Sequence, residues 1–137
     1  KSKAAEQDII IMTAAVADFC PSHPADEKIK KNDSSYESVI ELERTEDILS
    51  YLGAHKAKGQ LICGFSMETQ NMLENSKAKL AKKNADMIVA NNLKVAGAGF
   101  GTDTNVVTLI TADDCTELEI MDKSCVAAKI MDRLLKM

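Results

Sequence analysis

Two lysine groups have the types and spacing to hold an anion, and an acid ends the turn that precedes the first of them. Lys28, Lys30 and Lys31 form a K-x-K-K run, Lys79 and Lys83 lie four apart, and Asp18 closes the small-residue turn TAAVAD. Four-residue spacing on a helix puts Lys79 and Lys83 on one face, where like charges repel by roughly 0.2–0.5 kcal/mol unless an anion lies between or near them. Of seventeen Lys and Arg, only Arg44 and Arg133 are arginine, so bidentate guanidinium recognition is scarce. An anion site in this chain must rest mainly on lysines and backbone amides. Each feature also has a plainer explanation. The K-x-K-K run, flanked by Asp26, Glu27 and Asp33, fits a solvated loop; the lysine pair fits a helix surface, Asp18 a turn, and Phe65 after Gly64 a core aromatic.

The elements that must position these residues follow from pattern. Residues 8–12 and 60–66 and 86–90 are continuous apolar runs, which is how strands covered on both faces read in α/β proteins. Small residues just past the first run let a ligand approach the backbone at the carboxyl edge of a sheet, where open α/β folds place their ligands. Pro21 and Pro24 break regular structure after it. Residues 36–44 alternate imperfectly and predict a half-exposed strand, an edge or flap. Thr45 can cap a helix whose first turn holds Glu46 and Asp47 and whose buried stripe is Ile48, Leu49 and Leu52. Helices are expected over 69–84 and 124–135, and two further strands over 106–111 and 116–121. The βαβ-like alternation predicts an α/β fold: a mostly parallel, doubly wound sheet with late antiparallel hairpin strands.

A chain of 137 residues fits a single domain, 1–137, with one core. It is 45% apolar and 28% charged, the composition of a globular domain, and holds no run near the roughly 20 apolar residues of a membrane span. No signal-peptide pattern opens it. Cys20, Cys63, Cys115 and Cys125 form no C-x-x-C, and with two histidines they predict neither structural zinc nor disulfides but a reduced, cytoplasmic chain. The net charge of −4 argues against nucleic acid as partner. Gly97, Gly99 and Gly101 lack dinucleotide-fingerprint spacing and precede a strand, so AGAGFG reads as a surface loop. P-loop, nucleophile-elbow and H-E-x-x-H signatures are missing.

The ordered set AAVADF, EKIKK, TEDIL, GFSMET, KLAKKNADMIVAN and GFGTDTNVVTLI, running from about Ile9 to Ile110, resembles the phosphopantothenoylcysteine synthetase domain of the bacterial bifunctional coenzyme A biosynthesis flavoprotein family. The resemblance implies a Rossmann-like three-layer fold, a homodimer with residues 28–44 as a flap or dimerisation segment, and a ligase. That ligase uses CTP to turn the carboxylate of 4′-phosphopantothenate into an acyl-cytidylate, which the amine of L-cysteine then attacks. K-x-K-K points to the CTP-using bacterial type. By resemblance Met12, Thr13 and Ala14 lie along the nucleotide and Asp18 at its cytidine end. Lys28 promotes acyl-cytidylate formation; Glu46, Asp47, Ile48 and Leu49 border the nucleotide, Phe65 packs on base or ribose, and Lys79 and Lys83 complete the CTP site. Mg²⁺ is expected with the triphosphate. The family's upstream glycine-rich segment has no counterpart after Lys1, so a truncated synthetase domain is implied. A non-catalytic nucleotide-binding or dimerisation module is the competing expectation; an oxidoreductase fragment is disfavoured by the failed glycine fingerprint.

Overall fold

Apolar runs become the strands of a five-stranded sheet. Residues 1–28, 39–67, 70–92, 95, 97–99 and 101–137 are described by this computed structural model. They divide into two compact units, Lys1–Thr13 with Ile48–Met137, and Ala14–Asp47. In chain order the elements are a 3-10 turn (Ala4–Glu6), β1 (Ile9–Met12), β2 (Phe19–Pro21), β3 (Leu42–Arg44), α1 (Ile48–Ala54), β4 (Leu61–Met67), α2 (Met72–Lys82), β5 (Met87–Asn91), β6 (Thr104–Asn105), β7 (Val107–Ile110), β8 (Cys115–Glu117), β9 (Met121–Asp122) and α3 (Lys123–Leu134).

The larger unit carries the sheet, in the order β1-β4-β5-β7-β8. β1, β4 and β5 run parallel, with Ile9 opposite Leu61 and Cys63 opposite Met87. β7 and β8 add antiparallel, Ile88 facing Ile110 and Ile110 facing Cys115. This is the mixed α/β sheet with late antiparallel strands that the sequence predicts. Alternation sorts the buried residues into two layers. Cys63, Met87, Val89, Val107 and Leu109 pack with Val126, Ile130 and Leu134 of α3, whose four-residue spacing forms one stripe. On the opposite face Gly64 lies under Leu49 of α1, and Ser66 meets Ser76 of α2. Each large side chain removed from water stabilises by roughly 1.5–3 kcal/mol, which makes this two-sided sheet the principal source of stability. α2 ends at Lys82 with Lys83 as its C-cap, after which Asn84 adopts φ +48° and donates to Gly53 O at 2.8 Å, joining α2 to α1.

The smaller unit is an antiparallel ribbon of β2 and β3, with Phe19 opposite Arg44 and Pro21 opposite Leu42. Its base is pinned by Thr45, whose N–H donates to Asp18 O at 3.0 Å and whose hydroxyl donates to Ala17 O. The Arg44 guanidinium lies over the Phe19 ring, 5.5 Å from its centre.

Three local expectations change. The strand expected over 116–121 divides into β8 and β9, which pair in different sheets. Thr45 does not cap a helix, because its hydroxyl closes the ribbon; α1 begins at Ile48, and Glu46 and Asp47 precede it. The strand expected over 36–44 narrows to Leu42–Arg44 among the described residues, with 39–41 irregular and 36–38 outside the description. Of the 28–44 segment, residues 29–38, including Lys30 and Lys31, likewise lie outside it. All four cysteines are free, and no helix is long and apolar enough to cross a membrane among the described residues.

Candidate functional site

Two parallel strands ending at different lengths create the site's framework. Leu61 N–H donates to Asp8 O at 2.8 Å, so alternate β4 residues, Phe65 among them, turn their backbone groups toward β1. The β1 ladder stops at Met12, opposite Gly64. Phe65 O therefore lies one step past the last rung, and it accepts a 2.8 Å hydrogen bond from Lys79 Nζ of α2. Side chains on a helix lean toward its N-terminus, and that direction lets Lys79 reach this edge. The ammonium is thus held at the carboxyl end of β4, where parallel sheets present their ligands.

Around this point the larger unit assembles several sequence-predicted residues. Met12 ends β1, and Leu49 lies over Gly64 closely enough that a Cβ there would meet Leu49 Cδ2 at 2.6 Å. Ile48 opens α1. The Phe65 side chain packs at the rim of the cluster beneath α3, on the face opposite Leu49. Lys83 sits one turn beyond Lys79 at the C-terminal end of α2, and its main-chain carbonyl lies against Gly53. Thr13 is exposed just past β1. In the smaller unit Ala14, Asp18 and Lys28 are exposed, as are Glu46 and Asp47 at its other end. Asp18 is fixed through its carbonyl by Thr45, and Lys28 immediately precedes the undescribed stretch.

A polar node beside the strand ends escaped the sequence reading. Asn105 donates to Asn91 Oδ1 at 2.8 Å, and Asn91 Nδ2 lies 3.5 Å from Ser66 O. The described part of the glycine loop is tied in as well: Thr104 hydroxyl donates to Gly97 O, and Gly99 N–H donates to Thr104 O. An Asn directly after an apolar strand run was the available signal.

Electrostatics elsewhere separates structural from functional groups. Burial, then the Asp86 charge, pushes the Cys63 thiol up to about 12, leaving it an inert core group. The Thr116 hydroxyl, the Cys115 N–H and Arg133 hold Asp114 below the usual carboxylate range. A cleft of about 360 Å³ lined by Asp86, Asp113, Arg133 and Lys136 lies at the amino end of β5, the sheet edge opposite Lys79. A cleft of about 640 Å³ in the smaller unit is lined by Pro21, His23, Glu27, Val39 and Glu41, an acidic and apolar wall ill suited to phosphates. No cluster of three or more His, Cys, Asp or Glu that could hold a metal occurs among the described residues.

The whole chain, residues 1–137, matches the family described as DNA/pantothenate metabolism flavoprotein C-terminal domain. It is 48% identical over 128 residues to the coenzyme A biosynthesis bifunctional protein CoaBC of Bacillus subtilis strain 168, covering 93% of this chain and 31% of that protein. It is 47% identical over 131 residues to a cysteine/cysteine sulfinic acid decarboxylase of an unknown prokaryote, covering 95% of this chain and 36% of that protein. The crystal structure of a CoaBC C-terminal domain superposes with a TM-score of 0.75 at 41% identity, over 99% of this chain and 59% of that one. The chain thus spans about a third of the length of these curated relatives. By its sequence along its full length and by its fold, it belongs to the DNA/pantothenate metabolism flavoprotein C-terminal domain family.

Proposed function

We infer that this chain is the CTP-binding part of a phosphopantothenate–cysteine ligase acting in cytoplasmic coenzyme A biosynthesis. The observation that carries the reading is the Lys79 ammonium held 2.8 Å from Phe65 O at the carboxyl edge of β4, in a chain with only two arginines. A CoaBC relative at 48% identity supports it. In this reaction a carboxylate oxygen of 4′-phosphopantothenate attacks the α-phosphorus of CTP, and pyrophosphate leaves. The amine of L-cysteine then attacks the acyl-cytidylate carbonyl; an amide forms and CMP departs.

The chain's part is to bind and to offset charge. Lys28 contacts the triphosphate and stabilises the charge that develops on departing pyrophosphate. Lys79 and Lys83 hold phosphates from α2, which gives their shared face the anion that like charges require. Phe65 packs on base or ribose; Met12, Thr13 and Ala14 follow the nucleotide, Asp18 selects its cytidine end, and Glu46 to Leu49 border it. Magnesium belongs to this reading as a counter-ion that would offset the charge of the nucleotide's phosphates. A homodimer completes the proposal, with 28–44 as flap and dimerisation segment.

Incubation with CTP, magnesium and 4′-phosphopantothenate, followed by measurement of pyrophosphate, tests the ligase reading. Release that depends on all three is expected; preference for NAD over CTP in a thermal-shift panel would overturn it. A second reading, a non-catalytic nucleotide-binding or dimerisation module, would need only the anion contact at Lys79 and no acyl transfer. CTP binding without pyrophosphate release selects that reading.

A further inference from the structure

Helix α2 is thinly anchored by apolar burial. Of its eleven residues it buries two side chains, Ser76 and Leu80. Ser76 is fully buried, and Ser66 beneath it is 3% exposed. Their hydroxyls share a 2.7 Å hydrogen bond. The adjacent β4 residue, Phe65, takes the 2.8 Å hydrogen bond from Lys79, one turn along the helix. Neighbouring β4 residues are therefore bonded to α2 residues three apart. A lone leucine tolerates rotation and sliding of a helix on a sheet; a buried hydroxyl pair resists both, because a shift breaks their mutual hydrogen bond.

We propose that Ser66 and Ser76 are positioning residues, a buried hydroxyl pair that fixes the rotation of α2 on β4 and so holds the Lys79 ammonium at the strand edge. The pair acts through Lys79 and touches no ligand. Its consequence for CTP rests on the functional reading above, whereas its consequence for Lys79 does not.

The first test reads Lys79 directly. Limited acetylation followed by mass spectrometry compares Lys79 with the exposed Lys77 and Lys82 on the same helix. Lys79 should be the slowest in the unaltered chain. Ser76→Ala should raise its rate about fivefold, the population change set free by loss of one ordinary buried hydrogen bond, while Lys77 and Lys82 stay constant. Ser66→Ala/Ser76→Ala separates register from stability. With both hydroxyls gone the melting temperature should recover toward the starting value, yet Lys79 should stay fast. An unchanged Lys79 rate in Ser76→Ala, or a rate restored in the double variant, overturns the proposal.

The second test is a CTP titration of the same variants with and without Lys79→Met. Ser76→Ala should weaken binding about fivefold on its own and add nothing once Lys79 is methionine. Equal losses in both backgrounds mean a merely structural role and overturn the proposal. If the unaltered chain binds no CTP, the functional reading fails, and the acetylation result still decides the role of the serines.

Discussion

The two units present their candidate ligand groups in different ways. In the larger unit Lys79 projects from a helix packed on a buried parallel sheet and is bonded to a strand carbonyl. In the smaller unit Asp18 and Lys28 stand on irregular chain attached to a two-stranded ribbon whose faces leave Phe19 49% and Leu42 59% exposed. A ribbon of two strands is marginally stable at best by itself, whereas the buried sheet carries a core of its own. On the proposed reading, the sheet unit would supply a fixed contact through Lys79, and the ribbon unit would supply Asp18 and Lys28. Substitutions in the packed interior of the first should act through stability, and substitution of Lys28 in the second through activity alone.

The largest expected effect is global and comes from the sheet unit. A Cβ at Gly53 would lie 1.8 Å from Lys83 O, a main-chain atom with nowhere to go while Asn84 holds Gly53 O at 2.8 Å. Gly53→Ala should cost at least the upper end of the roughly 1–3 kcal/mol typical of overpacking and separate α1 from α2. Urea denaturation measures it; an unchanged midpoint would show that the junction yields. Lys28→Gln makes the opposite case. It should lower pyrophosphate release by roughly 10²–10³-fold, the scale of losing one transition-state charge contact, with the urea midpoint unmoved. A parallel loss of stability and activity would erase the distinction between the units.

Gly64→Ala should sharpen the comparison with a smaller effect. The new methyl would meet Leu49 Cδ2 at 2.6 Å and Ile88 Cδ1 at 3.1 Å, both ends of movable side chains. A loss of about 1–2 kcal/mol is expected, less than at Gly53 because side chains give way where backbone does not. Leu49→Ala should absorb part of it, so that the pair is less destabilised than the sum of the singles in urea titrations. Strict additivity would mean that Leu49 does not fill the space above Gly64.

How much of this was legible depended on burial. Central strands covered on both faces read as unbroken apolar runs, so IIIM, LICGFS and MIVA were visible at once, while the terminal Met67 and Asn91 were not. α3 was equally plain, because Val126, Ile130 and Leu134 repeat every four residues. The ribbon was not, since its three-residue strands carry Cys20, Glu43 and Arg44 without a clean period, and Thr45 carried a helix-cap signal that its bond to Ala17 O overrode. Within the candidate site, the lysine spacing on α2 was readable, but the carbonyl that receives Lys79 was not, because a main-chain acceptor has no letter in the sequence. Ser76 did leave a trace: Met72, Ser76 and Leu80 share the four-residue spacing of a buried stripe, and a hydroxyl in that stripe calls for a partner.

The smallest expected effect lies at the sheet edge away from Lys79 and tests whether the larger unit behaves as one cooperative body. Asp114 is an exposed carboxylate that accepts from the Thr116 hydroxyl at 2.9 Å and from Arg133 at 3.0 Å. With the Cys115 N–H these hold its pKa below the ordinary 3.8. A carboxyl group that titrates lower when folded stabilises the native state above its unfolded pKa, and that contribution disappears as the pH falls through the folded value. Below about pH 4 the urea midpoint of the unaltered chain should therefore fall more steeply than that of Asp114→Asn, and the two curves should converge at the acid end. Because the pair is solvated, 1 M salt should shrink the difference at neutral pH. Matching slopes would mean that the Arg133 and Thr116 contacts contribute nothing in solution. A steeper fall confined to tertiary signals of α3 would show instead that the larger unit unfolds in parts, and that the rigidity ascribed to Lys79's surroundings does not extend to this edge.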